Sequence, residues 1–319
     1  MSDPVKFVFL GCGFAARIHS KTLSRLPEAV HVYYASRDKA KADSYNRKFG
    51  GRGWFDSYAD AINADEIDAV VVLTPPAQHL EQVLQALAGG KHVIVEKPPF
   101  LTSDDFETVR QASQKAGKQV LVAENYYYKP LLTRLRSLIS AGIIGEILFV
   151  HINALKKQAV SDWRGDVALS GGGALFEGGI HWISFLSNLG LSLAGVQGFR
   201  PGSHEGMEKS LLVSLEYQEG AVGSFYYSWE TPSLFKGLRL SKIYGKEGSI
   251  TFESNGLFIL VRGRQKSVIF PGLQDIAGYR GMFSDFIQAI RHNRPAQFDL
   301  SLAKQDIMTI ETIYRSIRP

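Results

Sequence analysis

Residues Val5–Ala16 read VKFVFLGCGFAA. The first half of this stretch is an unbroken apolar run. The second half is a pair of glycines, Gly11 and Gly13, leading into a helical pattern carried by Ile18, Leu23 and Leu26. An unbroken apolar strand, as opposed to an alternating one, is buried on both faces, which happens in parallel sheets covered by helices on either side. The turn fits G-x-G-x-x-A with Gly11, Gly13 and Ala16. The first glycine permits the tight turn and the second lets backbone approach a phosphate. The small third residue lets helix and strand pack, and the helix N-terminus faces the anion. Such a motif is weak alone. It gains weight here from following a strand and opening a helix near the start of a β-α-β unit.

The same beat continues outward. Apolar runs at 30–35, 69–74, 92–96 and 119–124 alternate with helical patterns at 38–49, 77–88 and 102–116. Strands separated by helices predict β-α-β units and a doubly wound parallel sheet. Beyond residue 125 the pattern changes. After a helix at 131–140 come runs at 147–155, 211–217, 221–229, 238–244, 249–252, 257–261 and 266–270. The links Gln218-Glu219-Gly220, Lys246-Glu247-Gly248 and Asn255-Gly256 read as hairpin turns. Helices close the chain at 281–291 and 301–317. The predicted fold class is α/β, with domains at 1–125 and 126–319, the second built on a large, mostly antiparallel open sheet.

Composition narrows the function classes. The chain has 319 residues, 36 basic and 31 acidic, with no block of like charge that would mark a nucleic-acid arm or a polybasic membrane patch. Its single cysteine, Cys12, permits no internal disulfide, which suits a reducing compartment, and a cytoplasmic location is expected. The N-terminus reads as a strand and not as a secretory leader. No apolar run approaches the roughly 20 residues of a membrane span. Neither a nucleic acid, a membrane nor a metal is expected as partner.

In an open parallel sheet, ligands bind beyond the carboxyl ends of the strands. Ser36-Arg37, Thr74-Pro75-Pro76, Glu96-Lys97-Pro98-Pro99 and Glu124-Asn125 all fall there. At the second strand end an acid would hold a ribose diol. This chain instead offers a hydroxyl and a guanidinium, which suit a 2′-phosphate, so NADP(H) is favoured over NAD(H). The plain alternative is a solvated Arg37 with Asp38 capping the next helix. In the second half, 175–189 reads as one buried helix whose polar residues Glu177, His181, Ser184 and Asn188 share a stripe. Glu177 and His181 stand one turn apart, so the carboxylate can orient the imidazole. On the stripe alone the pair reads first as a satisfied core pair and only second as catalytic machinery.

GCGFAA, VVVLTPPAQH, VEKPPF and the GGG-x-L-x-acid-x-x-x-H helix, in this order, resemble the Gfo/Idh/MocA oxidoreductases. The resemblance implies a Rossmann domain followed by an α/β domain whose open sheet is used for assembly, here a homo-dimer or homo-tetramer. It implies NAD(P)-dependent hydride transfer to or from a sugar, a polyol or a related carbonyl compound. Carried over, Gly11, Gly13, Phe14 and Ala16 hold the pyrophosphate, and Ser36 and Arg37 sit by the adenosine ribose. Thr74, Pro75 and His79 line the nicotinamide side. Glu96 and Lys97 lie where nicotinamide meets substrate, Pro98 following a cis bond. His181 matches the catalytic histidine, and Glu177 a position usually held by aspartate. Tyr126, Trp163 and Arg164 join Lys97, Glu177 and His181 as substrate contacts. In this reading Lys97 stabilises the developing alkoxide and His181 carries the proton. Two other readings use the same fold: a glycosidase that oxidises its sugar transiently with no net redox, and a non-catalytic cofactor sensor.

Overall fold

The apolar runs of the first half pair side by side because each must bury both faces. β1 (Val5–Leu10), β2 (Val30–Ala35), β3 (Gly53–Phe55), β4 (Ala69–Val72), β5 (His92–Val95) and β6 (Val120–Val122) form one parallel sheet in the order β3-β2-β1-β4-β5-β6. The connecting helices are α1 (Phe14–Leu23), α2 (Lys39–Phe49), α3 (Tyr58–Asn63), α4 (His79–Ala88) and α5 (Asp105–Ala116). Strand order reverses between β1 and β4, which are neighbours, and this switch point lies directly behind the glycine turn. The computed structural model describes residues 3–159, 162–202, 205–233 and 237–317.

The second sheet is built on α6 (Pro130–Ser140), β7 (Ile147–Leu155), a short α7 (Val167–Ser170) and a π turn, Leu175–Gly179, that runs into α8 (Ile180–Ser187). It is completed by β8 (Leu193–Phe199), β9 (Ser210–Tyr217), β10 (Val222–Ser228), β11 (Leu240–Gly245), β12 (Gly248–Glu253), β13 (Ile259–Arg262) and β14 (Lys266–Ile269). The order is β14-β13-β12-β11-β7-β10-β9-β8, antiparallel except for the β7–β10 pair. All three expected turns close antiparallel pairs. One face is buried under α8, where Trp182 and Phe185 meet Phe225 and Phe252.

Contacts divide the chain into Met1–Glu124 with Tyr279–Lys304, and Asn125–Gly278 with Gln305–Pro319. Chain position alone put residues 279–304 in the second domain. The structure places α9 (Tyr279–Arg291) with the first unit, since Phe283 lies 6.4 Å from Phe7 and 5.1 Å from the His19 ring. The last helix is α10 (Leu300–Ser316). Two strands, β3 and β8, and two short helices, α3 and α7, were not read from sequence. β3 and α3 are too short to show a period. β8 carries Gly195 and Gly198, and a Cβ on Gly198 would lie 2.8 Å from Ile313 of α10. The helix read as continuous from 175 begins instead with the π turn.

Candidate functional site

The glycine turn of the first unit is shaped for close approach. Gly11 has φ of +106°, and a Cβ there would lie 3.2 Å from the Leu73 carbonyl oxygen. Gly13 caps α1 without any side-chain acceptor, and α1 has no acid in its first turn. By contrast Asp38 caps α2 through the Lys41 N–H, and Ser57 caps α3 through the Asp60 N–H. Leading amides of a helix need acceptors, and their partial positive charge favours an anion. A Cβ built on Gly13 meets nothing within 4 Å, so backbone there is open to a ligand. These features fit a pyrophosphate. Ala16 is fully buried behind the turn, and exposed Phe14 carries the Arg17 guanidinium 5.2 Å from its ring. Cys12 is a packing residue: burial pushes its thiol up to about 11, so it stays protonated.

At the end of β2, Ser36 is buried and its hydroxyl accepts from the Asp38 N–H. The Asp38 carboxylate is engaged in the α2 cap, 3.1 Å from the Lys41 nitrogen. Arg37 is exposed and lies beside Tyr58. The acid nearest this strand end is therefore committed to local structure, and what faces solvent is a guanidinium.

The turn after β5 is braced from two helices. Its Lys97–Pro98 bond is cis. From α1, His19 Nε2 sits 2.5 Å from Glu96 Oε1, and Glu96 Oε2 accepts the Lys97 N–H at 3.0 Å. Burial pushes the Glu96 carboxyl up, yet the His19 bond and charge, with help from Lys97, hold it down at about 2. From α4, His79 is buried with both ring nitrogens facing carbonyl oxygens: Nδ1 to Pro98 (3.0 Å) and Pro99 (3.2 Å), Nε2 to Thr74 (2.8 Å). Burial pushes this imidazole down against the pull of those carbonyls. Thr74 donates its hydroxyl to Gln82 at 2.7 Å. The resemblance set Glu96 and His79 beside the cofactor. Both have their polar atoms engaged in holding the Lys97 turn, while Pro75 stays partly exposed on the adjoining one.

In the second unit Gly173 of the GGG stretch leaves room for a carboxylate. A Cβ on Gly173 would lie 1.5 Å from Glu208 Oε2. Glu208 accepts from the Leu175 N–H (3.0 Å) and the Tyr314 hydroxyl (2.7 Å), so it caps the helix that carries Glu177 and His181. Burial pushes the Glu208 carboxyl up. Glu177 is buried in the π turn and accepts from Arg164 Nε at 2.9 Å. The Arg164 guanidinium in turn lies 4.6 Å from the Trp163 ring. His181 stacks on Tyr126, with centroids 4.5 Å apart and planes 13° apart. The expected stripe divides: Ser184 is fully buried with no partner for its hydroxyl among the described residues, and Asn188 is the helix C-cap, bonding back to Ser184 O.

Residues 5–124 match the model of an oxidoreductase family with an NAD-binding Rossmann fold, and residues 132–251 match the C-terminal domain of the same family. The chain belongs to the Gfo/Idh/MocA family. It is similar to the glucose-6-phosphate 3-dehydrogenase of Bacillus subtilis, 29% identical over 186 residues, covering 57% of this chain and 52% of that protein. It is 31% identical over 237 residues to the dTDP-3,4-didehydro-2,6-dideoxy-alpha-D-glucose 3-reductase of Saccharopolyspora spinosa, covering 72% of this chain and 70% of that one. The match thus spans about half the length of the first of these relatives. The aldose-aldose oxidoreductase of Caulobacter crescentus shares the fold, with a TM-score of 0.87, 20% identity, and coverage of 98% and 97% of the two chains.

Within this Gfo/Idh/MocA chain, sequence reasoning missed His19, Lys129 and Glu208. His19 was one histidine on an amphipathic helix, with nothing in its spacing to tie it to Glu96. Lys129 stands in the tyrosine-rich segment 125–130, where the tyrosines and not the lysine draw the reading. Glu208 lies in a polar loop, and its only sequence trace is Gly173, which makes room for it. No helix among the described residues is long and apolar enough to cross a membrane.

Proposed function

We propose that the chain is an NAD(P)-dependent oxidoreductase acting on a CH–OH group of a sugar, a polyol or a related carbonyl compound. One observation carries the reading most: a half-buried lysine on a turn braced by two buried histidines, in the same unit as an uncapped glycine-turn helix suited to a pyrophosphate. Hydride exchange is the chemistry that a bound nicotinamide supplies. Gly11, Gly13 and Phe14 receive the phosphates, with Thr74 and Pro75 on the adjoining strand end. Lys97 donates a hydrogen bond to the reacting oxygen and stabilises its negative charge as it develops. His181 takes the proton on oxidation and returns it on reduction. Glu177 and Arg164, paired at 2.9 Å, hold one another in place to bind substrate hydroxyls, with Trp163 as an apolar floor.

Arg37, with Asp38 engaged in capping α2, favours NADP(H) over NAD(H), since an exposed guanidinium pairs with a 2′-phosphate. The open face of the second sheet supports a homo-oligomer. Phe149, 54% exposed, is flanked in register by Val222 and Tyr244, which are 45% and 40% exposed. Three neighbouring apolar side chains on one sheet face make a patch suited to a second copy of the same face. A single cysteine, buried and protonated, suits a reducing cytoplasm.

The test is reduced-nicotinamide absorbance across a panel of sugars, polyols, keto-sugars and aldehydes, with NADP(H) and NAD(H) in parallel. Turnover that falls by about a hundredfold or more in Lys97→Met, with cofactor binding kept, is the expected result. Full activity in Lys97→Met would end the assignment. Glycoside cleavage without net cofactor turnover would move it to the hidden-redox glycosidase.

A further inference from the structure

His181 is held by an aromatic ring that is itself held by a buried cation. Tyr126 lies nearly parallel to the imidazole at 4.5 Å. The Lys129 ammonium sits 4.2 Å from the centre of the same Tyr126 ring, and Lys129 is only 3% exposed. Trp182 closes on Tyr126 edge-on at 5.3 Å, and the Arg239 guanidinium lies 5.8 Å from the Trp182 ring. Lys129 immediately precedes Pro130 at the first turn of α6, so its backbone is fixed by the helix start. A desolvated ammonium over a tyrosine face is a strong contact, and a ring engaged in this way has little freedom to turn. An imidazole stacked on it inherits that orientation.

We propose that Tyr126 and Lys129 are positioning residues for His181: the ammonium fixes the tyrosine ring, and the tyrosine ring fixes the plane of the imidazole. This rests on the reading of His181 as the proton carrier. It moves Tyr126 from substrate contact to support. The working part of Tyr126 is then its ring and not its hydroxyl, and the working part of Lys129 is its charge.

Four variants separate these parts. Tyr126→Phe keeps the ring and Tyr126→Leu removes it; Lys129→Arg keeps the charge and Lys129→Met removes it. The first readout needs no substrate. In protein with labelled histidine, the His181 ring protons, assigned by their loss in His181→Asn, resonate upfield under the Tyr126 ring current. That shift is expected to persist in Tyr126→Phe and Lys129→Arg, to vanish in Tyr126→Leu and to shrink in Lys129→Met. The second readout is turnover on a substrate found with the panel above. The rate constant falls by about tenfold or more in Tyr126→Leu and Lys129→Met, and by less than about threefold in the conservative pair, as loss of one partly desolvated cation–π contact implies. An unchanged ring-current shift in Lys129→Met overturns the role of Lys129. A loss in Tyr126→Phe equal to that in Tyr126→Leu returns Tyr126 to substrate contact through its hydroxyl. Should Lys129→Met fail to fold, Tyr126→Leu read against Tyr126→Phe carries the same decision. If the protein proves not to be an oxidoreductase, the resonance readout still stands by itself and reports the stack.

Discussion

Removing His19 leaves the Glu96 carboxylate with the Lys97 N–H but without its imidazole partner, and the cost can be worked from the structure. The pair is close, at 2.5 Å, and its side chains are only 1% and 15% exposed, so solvent screens it little. Burial alone pushes the Glu96 carboxyl up, while His19 and then Lys97 bring it from an ordinary 4.5 to about 2. A fall of that size corresponds to about 3 kcal/mol, and breaking a buried ion pair commonly costs about 3–5 kcal/mol. The sign follows from linkage. A carboxylate with a depressed value stabilises the fold above its unfolded value and loses that contribution as pH falls through its folded one, here between 4.5 and about 2. His19→Leu is therefore expected to lose about 3 kcal/mol at neutral pH. Its deficit against the wild type should then close as the solution is acidified and the stranded carboxylate takes up a proton. His19→Gln, whose amide still donates to Glu96 but carries no charge, should fall between the two. The assay is urea unfolding followed by far-ultraviolet circular dichroism, at neutral pH and in steps down to about pH 3. A neutral-pH loss below about 1 kcal/mol, or a deficit that does not change with pH, would refute the reasoning.

Arg37→Ala should raise the NADPH dissociation constant by about ten- to a hundredfold and leave that for NADH within about twofold, as read by cofactor fluorescence. Gly173→Ala places a Cβ on the Glu208 carboxylate. Displacing that cap from the Leu175 N–H should cost about 2–4 kcal/mol in thermal or chemical unfolding, and turnover should fall with it because the same helix carries Glu177 and His181. Phe149→Asp puts a charge into the open sheet face. On the proposed assembly through this face, sedimentation should show a smaller species than wild type while circular dichroism and the melting of the subunit stay near wild type.

Much of this molecule is legible in one dimension because its signals are local. The glycine turn, the unbroken apolar strands and the hairpin turns each arise from sterics and burial within a few residues. They led directly to a parallel sheet, a second antiparallel sheet and a family resemblance. The candidate Lys97 was visible for the same reason, since an E-K-P-P tetrad at the end of a buried strand is odd in itself. His181 was visible through a periodic polar stripe, although that stripe proved mixed: the π turn shifts its phase at Glu177, Ser184 faces the core, and Asn188 ends the helix.

The chain's order of residues by itself determined most of the strands, the place of the glycine turn, and the candidate lysine and histidine. Only the tertiary structure decided what holds them. His19 reaches Glu96 across 77 positions, His79 reaches back to Thr74 and forward to Pro98 and Pro99, and Glu208 fits a gap left by Gly173 in another segment. Nor could position in the chain reveal that α9 returns to the first unit to set Phe283 against Phe7. A hydrogen bond or a ring contact depends on distance in space, and distance in space between remote segments is set by how sheets and helices pack. Local pattern carries no record of that packing.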